Sequence, residues 1–186
     1  MTKPELFWIS GSPPAWRVML ALEVKEIDYI SRQLDAAANE HKSADFLNLN
    51  PRGQVPVLRV GDAIVRESLA IIAYLDRLQP TPPLLGIDPI STAAIWQWLM
   101  DFEHNLCPAL ATVAQAIFRD RVEDRVDEIA AAIEIVMAEI QQIDSRLSQQ
   151  QYLYEGSLSA TDITFYPSWQ WLRRALTKNK IPSARH

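Results

Sequence analysis

Four short runs in this 186-residue chain carry side chains suited to holding or activating an anionic group. In "SGSPPAWRV", Ser10 and Ser12 stand just ahead of an apolar helical pattern, so a hydroxyl would sit beside the positive end of a helix. In "RESLAIIAYL", Glu67 and Ser68 lie where a strand pattern meets a helix start, and helix N-termini favour anions. Both runs also fit an ordinary turn or cap, since serine is among the commonest N-cap residues. "EHKS" puts His41 and Lys42 in a polar stretch, where solvated surface positions are the plain alternative. "NPRGQVPVL" places Pro56 near the start of an apolar run, although proline is confined to edges and strand starts. The residues alone leave open what uses the edge so exposed.

The elements that must position these residues divide the chain into two halves. "ELFWIS" (5–10) reads as a buried strand and "PAWRVMLALEV" (14–24) as an amphipathic helix with proline in its first turn. "IDYISRQL" (27–34) alternates as a second strand, and a short helix fits 41–50. "VPVLRV" and "AIVRE" flank Gly61-Asp62, a pair suited to a tight hairpin, and "SLAIIAYLDRL" (68–78) is a further apolar helix. That order favours an α/β layer with a mixed sheet. "QPTPPLLGIDP" (79–89) breaks every regular pattern with four prolines and reads as a linker.

Beyond the linker only helical periods remain. "STAAIWQWLMDFEHNL" (91–106) is the first. Val122, Val126, Ile129, Ile133, Val136, Ile140, Ile143 and Leu147 then step by four and three, a heptad seam. A helix packed in a bundle is preferred to a coiled-coil dimer, because the flanking helices need a partner. Residues 160–176 form the last helix, with Ser159 and Asp162 spaced as a capping box that uses aspartate. In the pairs Trp96/Trp98 and Trp169/Trp171, one indole of each should face the core and the other a groove.

Composition narrows the function classes. An apolar fraction of 48% supports a packed core, and a net charge of −5 with scattered basic residues argues against nucleic acid. The single cysteine, Cys107, excludes an internal disulfide and reads as a buried filler, compatible with a reducing cytosol. His104, Asp101 and Glu103 are too close in sequence to share one helix face as metal ligands, so no metal is expected. The first residues lack the apolar core of a signal peptide, and no apolar run reaches the roughly 18 residues of a membrane span. A soluble, cytoplasmic protein is the expectation.

Taken in order, "SPPAWRV", "EHKSADFLNLNPRGQVPVL", "ESLAIIAYL" and "SLSATDI" resemble the cytosolic glutathione transferases over roughly residues 5–176. "EHKS" and "NPRGQVPVL" look most like the phi class and bacterial relatives, and "AWRVMLAL" is similar to the zeta class. The resemblance implies a thioredoxin-like domain over 1–78, a linker over 79–89 and an all-helical bundle domain over 90–186. It further implies that Pro56 is cis and that Val55 pairs with the cysteinyl part of glutathione, the co-substrate. Glu67 and Ser68 would hold the γ-glutamyl end, His41 and Lys42 the glycyl carboxylate, and Gln54 the peptide. Ser12 would be the catalytic hydroxyl, with Ser10 as runner-up, and Pro13 would border the substrate pocket.

The activity implied is transfer of glutathione to apolar electrophiles, a detoxification chemistry, in a homodimer. A glutathione-dependent isomerase or peroxidase would start from the same thiolate. A ligand-holding protein without turnover and a scaffold are the remaining readings of the same fold. The "WRV" run lacks the Ser-Ser-Cys that zeta-class isomerases carry before it, which weighs against that reaction. Family members usually continue for several helical elements, whereas only "TKNKIPSARH" follows here, so a shortened C-terminus and a less covered substrate pocket are expected.

Overall fold

The structure is a computed structural model that describes residues 2–154 and 156–178. It divides into two compact units, Met1–Ile87 and Asp88–His186. The last residues, 179–186, read above as a short polar end, lie outside the described residues. Among the described residues no helix is long and apolar enough to cross a membrane.

The first unit is built from β1 (Glu5–Trp8), α1 (Pro13–Val24), β2 (Ile30–Gln33), α2 (Ala44–Leu49), β3 (Val57–Val60), β4 (Ala63–Arg66) and α3 (Ser68–Leu78). The strands form one mixed sheet in the order β2-β1-β3-β4. β1 and β2 run parallel, while β3 is antiparallel to both β1 and β4. Gly61 turns the β3–β4 hairpin at φ 59°, a left-handed conformation that glycine adopts without steric cost.

Period-two alternation sorts the residues of β1. Leu6 pairs in register with Leu58, and both are fully buried with Val18 and Leu22 of α1 and Ile71, Ile72 and Leu75 of α3. Glu5 and Phe7 point the other way. Phe7 meets Phe46 of α2 with ring centroids 6.1 Å apart and lies 5.4 Å under the Arg59 guanidinium. The Glu5 carboxylate accepts hydrogen bonds from Arg32 on β2 (2.7 Å) and Arg59 on β3 (2.6 Å), which lower its pKa.

The Pro-rich segment after α3 is pinned down rather than loose. The side chain of Lys25, wholly buried at the end of α1, pairs with Asp76 of α3 at 2.6 Å and donates to the carbonyls of Gln79 (2.8 Å) and Pro82. Asp76 also accepts the amides of Leu84 (2.7 Å) and Leu85 (3.3 Å), both leucines being buried. Every polar atom that this buried cation brings inside thus has a partner, as burial of charge requires.

The second unit contains α4 (Pro89–Asp101), a π-type turn (Phe102–Leu106), α5 (Cys107–Phe118), α6 (Val126–Leu147) and α7 (Ala160–Lys178). Its core gathers Phe102, Leu106, Leu110 and Val113 with Ile129, Val136 and Ile143 of α6 and Leu172 of α7. One position of the heptad supplies most of the seam's share of that core. Ile129, Val136 and Ile143 are buried, and of the other row only Ile140 packs, partly buried, against the core, whereas Val126, Ile133 and Leu147 are exposed, so the seam serves a bundle chiefly through one of its two rows. Val122 precedes the helix altogether. The second tryptophan pair departs from expectation, because Trp169 and Trp171 both pack against the core, stacked on Phe165 and Phe118, whereas of the first pair Trp98 is the one packed against it. The Ser159–Asp162 cap forms as read, with Asp162 accepting the Ser159 amide at 3.0 Å.

Candidate active site

Strand register brings the candidate residues of the first unit to one end of the sheet. Phe7 pairs with Val57, and Val57 with Arg66. The turn after β1 (Ser10, Ser12), the approach to β3 (Gln54, Val55) and the exit from β4 (Glu67, Ser68) therefore leave the sheet at the same edge. Ligands of α/β sheets gather at the carboxyl ends of strands, and β1, β2 and β4 all end here.

Ser12 is the N-cap of α1, with extended backbone angles of φ −90° and ψ 108°. Its hydroxyl oxygen accepts the Ala15 amide at 3.3 Å, its own amide donates to the Ile9 carbonyl at 3.2 Å, and its carbonyl accepts from Trp16 at 3.0 Å. A helix normally leaves its first amides without partners. Here Pro13 and Pro14 have no N–H, and the neighbouring amides are already engaged. The donor that remains at this helix end is the Ser12 O–H, which no hydrogen bond among the described residues engages. Ser10 is exposed in the turn two residues upstream, and Pro13 is half-buried at the first helical position.

The stretch before β3 is built around Asn50, which is buried. Its side-chain amide donates to the Gln54 carbonyl at 2.7 Å, and its Oδ1 accepts the Arg52 amide at 3.2 Å. Lys42 reaches in to donate to the carbonyls of Arg52 (3.2 Å) and Gly53 (3.0 Å). Gly53 has φ 58°, and a Cβ there would lie 2.7 Å from the His41 carbonyl oxygen, so the position needs glycine. His41 and Lys42 are thereby held against Gly53, the residue before Gln54. The His41 Nδ1 is buried without a partner among the described residues. The Val55–Pro56 peptide is cis, and no hydrogen bond among the described residues engages the Val55 N–H or C=O.

At the exit from β4, Glu67 takes φ 66° and ψ 121°, a conformation unusual for any residue but glycine. No side chain caps α3, in contrast to α1. Ser68, its first residue, is buried, and its hydroxyl makes no hydrogen bond among the described residues. Glu67 instead turns to Arg52, whose Nη1 lies 2.7 Å from its Oε1. That ion pair, the Asn50 hydrogen bonds and the Lys42 hydrogen bonds tie Lys42, Arg52, Gly53, Gln54 and Glu67 into one connected stretch.

Arg52, Asn50 and Lys25 were not singled out from sequence. The "NPRG" run marks a turn by composition, and an asparagine ahead of proline is a signal that its side chain will organise the next residues. Neither the Arg52–Glu67 pair nor the Lys25–Asp76 pair has a local signature.

The family profile for the glutathione S-transferase N-terminal domain matches residues 11–78. "Glutathione S-transferase A" of Pleuronectes platessa is 30% identical over 184 residues, covering 95% of this chain and 81% of the relative. The chain belongs to the glutathione S-transferase family. "Glutathione S-transferase 1" of Dianthus caryophyllus is 45% identical over 106 residues, 57% of this chain, a match spanning about half (48%) of that relative's length. The crystal structure of a glutathione S-transferase from the Antarctic clam Laternula elliptica superposes with a TM-score of 0.79 and 31% identity, covering 91% of this chain and 77% of that one. The four-stranded mixed sheet with its helices is thus the thioredoxin-like N-terminal domain of a glutathione S-transferase, followed by the family's helical domain.

Proposed function

We propose that this glutathione S-transferase uses Ser12 to hold glutathione as its thiolate for attack on apolar electrophiles. The observation that carries the reading is the state of the α1 N-terminus, where the unengaged Ser12 O–H is the donor left for an anion. A thiol with a pKa of about 8.5 needs about 2 kcal/mol of preferential stabilisation to ionise near neutrality. A hydrogen bond to a charged group contributes about 1.5–3 kcal/mol and the helix dipole about 0.3–1 kcal/mol. Together these suffice without a metal or a general base. The thiol proton passes to solvent, sulfur forms a bond to the electrophilic carbon, and the leaving group departs with its electron pair.

The other residues take binding roles in this reading. The open N–H and C=O of Val55 would pair with the cysteinyl main chain as an added strand does, the mode in which backbone bonds supply affinity. Glu67 would bind the γ-glutamyl ammonium, and the uncapped α3 end with Ser68 its carboxylate. Lys42 and His41 would face the glycyl carboxylate, Gln54 the peptide, and Pro13 the electrophile. The reading includes a homodimer; sedimentation at twice the chain mass would support it, and sedimentation at monomer mass would contradict it.

The deciding experiment follows thiolate ultraviolet absorbance of protein-bound glutathione through neutral pH. Ionisation well below about 8.5 is the expected result. Saturable binding with an unshifted thiol would leave a ligand-holding protein, and no binding would remove the peptide site.

A further inference from the structure

Arg52 is paired with Glu67 in a place where folding gives little reason for it. The two side chains are 72% and 65% exposed, and an isolated ion pair so exposed contributes little to stability. One guanidinium N–H is used on Glu67 Oε1, and no other hydrogen bond among the described residues engages the Arg52 side chain. Arginine offers five donors in a fixed fork, so several remain for a ligand. Glu67 itself holds an uncommon backbone conformation directly before Ser68, and strain of that kind collects at ligand clamps.

We infer that Arg52 is a specificity-determining residue that makes this end of the site select a zwitterion over a simple amine. The inference rests on the reading that Glu67 and Ser68 receive the γ-glutamyl residue. A lone glutamate would attract any ammonium. With Arg52 on Oε1 the pair is close to neutral, and an ammonium at Oε2 also meets the repulsion of the guanidinium. A ligand carrying an amine and a carboxylate on one carbon answers both charges: the ammonium meets Glu67, and the carboxylate meets the remaining Arg52 donors and the uncapped end of α3. Charge then alternates in sign along the contact, whereas a peptide end bearing only the amine meets one favourable and one unfavourable partner.

Calorimetry of the full chain with three ligands separates the possibilities: glutathione, γ-aminobutyryl-Cys-Gly (amine without the α-carboxylate) and glutaryl-Cys-Gly (carboxylate without the amine). Arg52→Gln is expected to weaken glutathione and glutaryl-Cys-Gly by about tenfold or more, the scale of one hydrogen bond to a charged group, while γ-aminobutyryl-Cys-Gly binds as well as before or better. Equal losses for all three ligands would make Arg52 a builder of the loop and overturn the inference, as would no loss for any. Arg52→Lys should recover part of the preference for glutathione, which a purely steric role would not produce. Glu67→Gln tests the underlying reading by itself. Unchanged glutathione affinity in that variant would place the γ-glutamyl end elsewhere, whatever Arg52→Gln does.

Discussion

The Ser12 hydroxyl oxygen accepts the Ala15 amide at 3.3 Å and so serves α1 as its cap while its own proton stays available. The two roles can be separated. Glycine at an N-cap costs only a few tenths of a kcal/mol relative to serine, whereas alanine costs about 1. Ser12→Gly should therefore leave the thermal midpoint and glutathione affinity nearly unchanged and lower conjugation turnover about ten- to hundredfold. Turnover close to wild type would move the assignment to Ser10.

Lys25 and Asp76 form a buried pair, 2.6 Å apart, between the ends of α1 and α3. Removing one partner of such a pair leaves an uncompensated buried charge and typically costs about 3–5 kcal/mol. Lys25→Met should lower the unfolding free energy read from urea titration by that amount, shift the urea midpoint down accordingly, and make the 79–87 segment more susceptible to proteolysis. A midpoint within experimental error of wild type would mean that Asp76 is satisfied by the Leu84 and Leu85 amides alone.

Glu5 sits between Arg32 and Arg59, and their hydrogen bonds hold its carboxyl below the usual carboxylate range. A depressed folded pKa contributes stability that is complete above the ordinary value of 4.5 and is lost as pH falls through the folded value. The stability gap between wild type and Glu5→Gln should be constant near neutrality and close progressively below about pH 4.5. Urea titrations at several pH values read this directly. A gap that persists at the acid end would show that the arginines hold residue 5 through shape rather than charge.

Asp162 ties the start of α7 to the segment before it, accepting the amides of Leu153 at 2.7 Å and Ser159 at 3.0 Å. Both are hydrogen bonds to a charged acceptor, each contributing about 1.5–3 kcal/mol. Asp162→Ala is expected to destabilise the helical unit by about 3 kcal/mol, with Asp162→Asn intermediate because it keeps one acceptor oxygen. Equal stability of the two variants would assign the loss to geometry instead of charge.

Much of this protein was legible in its sequence wherever the determinant is local. The helix over 68–78, the hairpin at Gly61-Asp62, the proline-led start of α1 and the Ser159–Asp162 cap depend on residues within a few positions of one another, and each forms where its turn chemistry or period places it. The ordered motifs were likewise enough to point to the family. What tertiary structure decided is which distant groups meet. The partners of Arg52 and Lys25 lie 15 and 51 residues away, respectively. The α6 heptad offers two equivalent rows, and only packing against neighbouring helices chose the row of Ile129, Val136 and Ile143 for burial. Local propensity is blind to such choices because strand register and burial set them: the pairing of Phe7 with Val57 and of Val57 with Arg66 carries Ser12, Val55 and Glu67 to one edge of the sheet.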